Sequence, residues 1–402
     1  MGMYKHYLMQ QQSQGWSSVG DKFVCSKCFE DYAIKKFIKT HAEATNCDYC
    51  GNTSKAPVAA SLDEVLGFIA DGLHREYEDP CNGVSYDSYE GGYLLPVTDT
   101  GDLFCELGFG NGPQKLFDDL VRAFSDSQWV QADPYGDLPC DALRYSWEQF
   151  SEQVKHRTRF VFYRLNTRRD WEHHSEPYTI LESLSQIVTT LGLIATLPVA
   201  SRIIRARQHS SSKVYNRAGQ LGTAPKEFAS QSRMSPAGIP MFYGALDEMT
   251  TFKEVFQMDT AKDTVTFGSF KTLKPLQLLD LSNLPKIPSM FDEKDYSRRM
   301  PLLFMHDFEA DVTKPIIKDG LEHIEYVPTQ IVAEHFRHVF KQSNGTPLDG
   351  ILYRSSRAPT EICVALFCTK DECTDDITAT GKKLALFSVS RKTINFATQT
   401  FV

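Results

Sequence analysis

The chain has 402 residues, enough for two or three domains with a sizeable core, and its 42% hydrophobic and 23% charged content is that of an ordinary folded protein. A net charge of −8 argues against sequence-independent binding of nucleic acid through a whole-molecule basic field, leaving room only for a local patch. The longest apolar run, 187–200, is too short and too interrupted by Thr, Gly and Pro to cross a bilayer, and residues 1–15 lack an apolar signal core, so the expectation is a cytoplasmic protein with no membrane partner.

The first organised stretch is a pair of cysteine knuckles. Cys25-x2-Cys28 and Cys47-x2-Cys50 are separated by 18 residues, and each turn lets two thiolates converge on one ion. Four thiolates close a tetrahedral shell and leave no open position, so the expected metal is a structural zinc. Phe29–His41, between the pairs, reads as a helix, and 1–56 as a zinc-knuckle module. Cys81, Cys105, Cys140, Cys363, Cys368 and Cys373 are scattered and read as buried or inert thiols.

From 57 to 198 the periodicity is mainly helical. Leu62, Val65, Leu66 and Ile69 form one apolar face, Leu116, Leu120, Val121 and Phe124 a second, and Leu181, Leu184, Ile187, Val188 and Leu191 a third. At Ser201 strands and loops take over, which puts a domain boundary near Pro198. Ser201–Gln208 alternates so that Ile203, Arg205 and Arg207 share a strand face. The Ser/Gly-rich segment from His209 to Ser232 reads as a loop over the site.

Arg233–Val255 is the stretch around which the rest is organised. Pro236, Gly238 and Pro240 shape a loop, Met241–Leu246 is a short strand, and Asp247 caps a helix with Phe252, Val255 and Phe256 on one face and Glu254 beside it. Downstream, 265–284 reads as one or two strands, 285–295 as a turn-rich connection and Met300–Phe308 as a helix. A second helix starts near Pro328 with Ile331, Val332, Phe336, Val339 and Phe340 on its apolar face. Gly350–Tyr353 is a strand that delivers Ser355, preferred over Ser356 on spacing. Glu361–Cys368 is a buried central strand, and 382–396 supplies a last one.

R-x-S-P-x-G-I-P-x-x-Y-G-A from Arg233 to Ala245, with Glu254 eleven residues after Tyr243, resembles the core of the RES domain. That family is named for an arginine, a glutamate and a serine. The arginine, in an R-x-R-like context, corresponds to Arg205, and the serine, in D-G-I-x-Y-x-S, to Ser355; Tyr-x-Pro-x-Gln before the second helix fits as well. One departure is Met234-Ser235, where many RES domains carry Trp-Asn. The helical region with its knuckles is similar to the HEPN-type domain that precedes RES domains in some bacterial proteins. The resemblance implies an α+β protein. In it a mainly helical N-terminal domain (57–198) behind the zinc module (1–56) is followed by an ADP-ribosyltransferase-like mixed α/β domain (199–402).

It also implies that NAD is the substrate. Cleaving the nicotinamide–ribose bond develops positive charge at the anomeric carbon, a task for the Glu254 carboxylate. Arg205 and Arg233 would hold the pyrophosphate, Tyr243 would stack on nicotinamide or ribose, and Ser355 would bind the nicotinamide amide or position the acceptor. Gln330 is open between site lining and a satisfied surface glutamine. The acceptor is water, phosphate or a protein side chain, the last making an ADP-ribosyltransferase. An antitoxin, a phage-derived trigger and a second copy of the chain are the partners left open. A nucleotide sensor is one alternative. A HEPN-type ribonuclease is another, with Arg168 and His173 or Arg169 and His174 at R-x4-H spacing, although a solvated helix face is the better reading there.

Overall fold

The computed structural model describes residues 15–89, 91–124, 128–161, 179–315 and 320–402. Arg168, Arg169, His173 and His174 lie outside the described residues. The chain divides into two units: residues up to Cys140 with Lys286–Leu303, and Asp141–Pro285 with Phe304–Val402.

In the first unit β1 (Phe23–Cys25) pairs antiparallel with β2 (Ala59–Ser61). Between them, α1 (Tyr32–Thr40) starts at Asp31, whose carboxylate accepts from the backbone N–H of Ala33 (2.8 Å) and Ile34 (3.1 Å). Its Ile34 and Ile38 meet the expected Leu62, Val65, Leu66 and Ile69 face of α2 (Leu62–Leu73) in one core. Phe104 from α3 (Thr100–Glu106) and Leu116 and Leu120 from α4 (Gln114–Ala123) complete it. The buried Asp119 of α4 accepts from Lys22 Nζ (2.5 Å) and the Tyr49 hydroxyl (2.9 Å), tying the knuckle region to that helix. Burial raises this carboxyl, but Lys22 and Tyr49 outweigh burial and hold it below its usual range.

The turn-rich stretch 286–303 also belongs to this unit. Met290 and Phe291 enter its core, and a Cβ on Gly72 would fall 2.1 Å from the Phe291 ring, so the absent side chain makes the slot. Arg299 pairs with Glu76 (2.6 Å).

The second unit opens with α5 (Pro139–Glu152, in this unit from Asp141) and α6 (Thr179–Leu191). By packing, the division runs at Cys140. The physical reason is that β3 (Ile194–Leu197), which follows α6 after Gly192 at φ +67°, pairs with a strand of the main sheet. That sheet comprises β4 (Arg202–His209), β5 (Phe242–Ala245), β6 (Thr264–Thr272), β7 (Leu276–Asp280), β8 (Gly350–Arg354), β9 (Ile362–Leu366), β10 (Cys373–Thr374), β11 (Leu384–Asn395) and β12 (Thr400–Phe401). Its order is β10-β11-β6-β4-β5-β9-β8-β7-β3, with β12 on β11. Pairs are antiparallel except β7 with β8 and β10 with β11, so the sheet is mixed. As expected of a continuous apolar run, β9 is buried near the middle.

Both faces of the sheet are covered. Ile204, Ala206, Val265 and Phe267 take Phe252 of α7 (Glu248–Val255), which Asp247 caps through the N–H of Thr250 (2.8 Å). On the other face Ile203, Phe242 and Phe270 meet Ala218 and Leu221. Those two come from a helical turn, Ala218–Leu221, so 209–232 is not loop throughout: an Ala and a Leu three residues apart are enough to anchor it.

Two further helices matter below, α8 (Arg299–Thr313, in this unit from Phe304) and α9 (Glu322–Glu325), which runs on to α10 (Val327–Glu334). Beyond α10 the turn His335–Val339 widens to five-residue spacing. The extra residue keeps Phe336 and Phe340 inside and turns Val339 out to 66% exposure, against the regular face expected for it. Among the described residues, no helix is long and apolar enough to cross a membrane.

Candidate active site and metal centre

Between β4 and β5 the ladder consists of one pair, Ala245 opposite Ile204. The cleft lies at this point. Gly244 belongs to its lining, and a Cβ there would sit 2.7 Å from both Ile203 Cγ2 and Ile204 O, so only glycine lets the strands approach this closely. The cleft encloses about 550 Å³, within the ~300–1,000 Å³ usual for small-molecule sites. Arg205, Arg233, Tyr243 and Glu254 all line it.

Each is held by its neighbours. Arg205 donates from Nη1 to Tyr243 O (3.3 Å) and lies over the Phe242 ring (5.2 Å). Burial, with Arg207 nearby, lowers its guanidinium to about 10, which leaves it charged at neutral pH. The Tyr243 hydroxyl is 2.9 Å from Ser235 Oγ, and burial pushes it up to about 12, so it stays a neutral donor. Arg233 donates from Nη1 to Val312 O (2.7 Å) and from Nη2 to Lys314 O (2.8 Å), with the Tyr326 ring 5.7 Å from its guanidinium. Glu254 sits in the last turn of α7. The Thr251 hydroxyl, 2.6 Å from Asp247 O in the same helix, also reaches Ile204 O (3.3 Å) and so ties α7 to the arginine strand.

Ser355 Oγ donates to Glu254 Oε1 (2.6 Å) and accepts from the N–H of Arg357 (3.2 Å) and Ala358 (3.0 Å). The Arg357 guanidinium closes the end of α7 on the carbonyls of Lys253 (2.5 Å) and Phe256 (3.4 Å). One short loop thus grips the glutamate and the helix end that carries it. Cys363 and Tyr353 lie beneath. Burial and then the Glu254 charge push the Cys363 thiol up to about 12, and burial pushes the Tyr353 hydroxyl well above its usual value.

In the first unit the four knuckle thiols converge. Sγ separations are 3.4 Å (Cys25 to Cys50), 3.6 Å (Cys28 to Cys47) and 3.9 Å (Cys25 to Cys28), and all four lie within 4.8 Å of one another. A tetrahedral ion with sulfur ligands at about 2.3 Å needs edges of about 3.8 Å, so the donor set fits a metal ion. Gly51 at φ +67° makes the second knuckle turn. Burial pushes the Cys25 and Cys28 thiols up. Burial acts the same way on Cys47, but N–H groups of Cys50, Tyr49 and Cys25 outweigh burial and hold it below its usual value.

Compared with known protein families, residues 202–387 match the RES domain and residues 40–168 match HEPN/RES N-terminal domain 1. The chain carries a RES domain behind a HEPN/RES N-terminal domain. No curated protein and no solved structure matched the chain. At the level of the family, a RES domain goes with an NAD-related, toxin-like function and an NAD-acting enzyme. The RES match includes 286–303, which the fold gives to the first unit, and the N-terminal match includes α5, most of which the fold gives to the second.

Two of the expected site residues, Ser355 and Gln330, are held inside the protein by hydrogen bonds. Ser355 is 1% exposed, and its single proton and both lone pairs are engaged within the protein, while its neighbour Ser356 lines the cleft. Gln330 neither lines the cleft nor sits at the surface: 8% exposed, it donates from Nε2 to Ser232 O (2.9 Å) and Ser235 O (3.3 Å) and latches the loop that carries Arg233. Ser356 stood second to Ser355 on spacing, while Tyr353 and Arg357 went unnoticed as site residues although they lie within two positions of Ser355. Inspecting both neighbours of a signature residue would have found them.

Ser355→Ala is expected to cost about 2–3 kcal/mol of stability, because the buried N–H of Ala358, the part-buried N–H of Arg357 and a carboxylate lose their partner together. Ser356→Ala, in denaturant unfolding of the same chain, should stay within about 0.5 kcal/mol of the parent. Equal stabilities for the two would remove the buried role assigned to Ser355.

Proposed function

We propose that the protein is a cytoplasmic enzyme that cleaves the nicotinamide–ribose bond of NAD, with zinc in the four-cysteine centre as a structural ion. The observation that carries the reading is one carboxylate, Glu254, clamped by a buried hydroxyl at a cleft whose lining includes the guanidiniums of Arg205 and Arg233. The arginines suit the pyrophosphate, whose oxygens accept from forked N–H donors. Tyr243 suits a ring face. As the glycosidic bond breaks, its electron pair leaves with nicotinamide, and Glu254 offsets the positive charge left on the ribose. Water then adds to give ADP-ribose and a proton, or phosphate adds to give the phosphorylated sugar. Cys25, Cys28, Cys47 and Cys50 would hold the zinc, which supplies cohesion rather than chemistry because its shell is closed.

A toxin of this kind needs restraint, so the reading extends to a toxin–antitoxin or anti-phage setting in which an antitoxin, a phage-derived trigger or the N-terminal region controls turnover. The test is incubation of the full chain with NAD, with and without inorganic phosphate, and mass spectrometry of the products. Free nicotinamide with ADP-ribose supports the hydrolytic form, and a phosphate-dependent sugar phosphate the phosphorolytic one. ADP-ribose found on protein makes it a transferase. Intact NAD in every arm defeats the enzyme reading.

A further inference from the structure

Arg233 is fixed by the end of α8, the carbonyls of Val312 and Lys314, and the last carbonyls of a helix have no partner within it. The same region of chain supplies one side of the cleft: Pro315, Glu322 and Tyr326 line it. What holds that side is α5, from the N-terminal half of the sequence. Trp147 is buried, packs edge-on against Phe308 (4.9 Å) and donates from Nε1 to Asp311 Oδ2 (2.8 Å), one residue before Val312. One turn earlier, Arg144 Nε donates to Asp307 Oδ2 (3.1 Å). Past the end of α5, Lys155 Nζ meets Glu325 Oε2 (2.7 Å), the residue next to Tyr326. This segment thus grips the chain both before Val312 and just before Tyr326, and neither Trp147 nor Lys155 lines the cleft.

We propose that Trp147 and Lys155 are positioning residues for NAD, acting through Arg233 and Tyr326 by bracing the side of the cleft on which both depend. The proposal rests on the reading of the cleft as an NAD site. Its physical basis is that a guanidinium tied to two carbonyls goes where they go, and displacements of about 1 Å are enough to spoil a bound geometry. A fragment starting at Ser201 would lack the brace, so the full chain is the material for the test.

Trp147→Phe keeps the ring and removes the N–H; Lys155→Met keeps the stem and removes the charge. The measurements are NAD affinity by calorimetry, turnover at saturating NAD, and melting temperature. The combined variant is expected to bind NAD about five- to tenfold more weakly, the scale of coupling between contacting residues, with saturated turnover within about twofold of the parent. On an Arg233→Ala background Trp147→Phe should add little, since its effect passes through Arg233, and Lys155→Arg should recover most of the affinity lost in Lys155→Met. If the combined variant fails to fold, Lys155→Met alone, at a pair partly open to solvent, gives the same readout. Parental affinity in a folded variant, or full additivity of Trp147→Phe with Arg233→Ala, overturns the brace while leaving the NAD reading intact. A parent chain that neither binds nor consumes NAD overturns both.

Discussion

Glu254→Gln is expected to yield a folded protein whose release of nicotinamide from NAD is slower by a few hundredfold or more. Glutamine keeps the length of the side chain and an oxygen for the Ser355 hydroxyl, which now donates to Oε1 at 2.6 Å, so the grip of the 355–358 loop on α7 survives. What is lost is the charge opposite the developing cation. Removing one electrostatic stabiliser from a water-excluding site costs on the order of 3–4 kcal/mol, which sets the size of the rate loss. Affinity for intact NAD should move much less, because that charge matters most as the bond breaks. Arg205→Ala makes the contrast: a lost phosphate contact weakens binding and turnover together. The check is nicotinamide release under saturation beside calorimetric NAD affinity. A folded Glu254→Gln chain that turns over NAD at the parental rate would remove Glu254 from the chemistry.

How much of this was legible in the sequence depends on where each signal resides. Side chains with a local pattern were readable. The cap at Asp247, the short strand ending at Ala245 and the apolar stripe of α2 follow from turn chemistry and periodicity, and they place Tyr243 and Glu254 on adjoining elements. The four thiols were readable because tetrahedral ligation imposes a spacing. Backbone partners carried no such mark. Nothing in the letters Val312 or Lys314 says that their carbonyls hold Arg233, and nothing in Gln330 says that it spends its amide on Ser232 and Ser235. Long-range exchange was equally silent. Phe291 fills a slot over Gly72, more than two hundred residues away, while α6 is drawn into the second unit by the pairing of β3 with β7. Hydrophobic periodicity tells which face is buried, not what buries it. Ser355 shows the same limit at one residue: its signature was visible, but its partners, all within the protein, were not.

The largest stability effect is expected at the metal centre. Protein purified without chelator should contain about one zinc ion per chain, and stripping it, or making Cys47→Ser, should lower the melting temperature of the first unit by on the order of 10–20 °C. With Cys25 and Cys28 pushed up by burial, four sulfurs this close lack a compensating positive charge, and a metal ion supplies it. The centre is also continuous with the core: Cys25 ends β1, Val24 beside it is fully buried, and Ile34 and Ile38 of α1 pack on α2. Tyr49, in the second knuckle, reaches Asp119 of α4 beside Lys22. Loosening the knuckles therefore frees β1, removes a partner from a buried carboxylate and exposes the apolar face of α2, three losses of different kind. Every residue of the cleft lies in the second unit, so turnover per folded molecule should change far less than stability does. Elemental analysis and calorimetric melting decide it. Protein that carries no metal, or metal-free protein that melts at the parental temperature, would leave the four cysteines as ordinary core thiols.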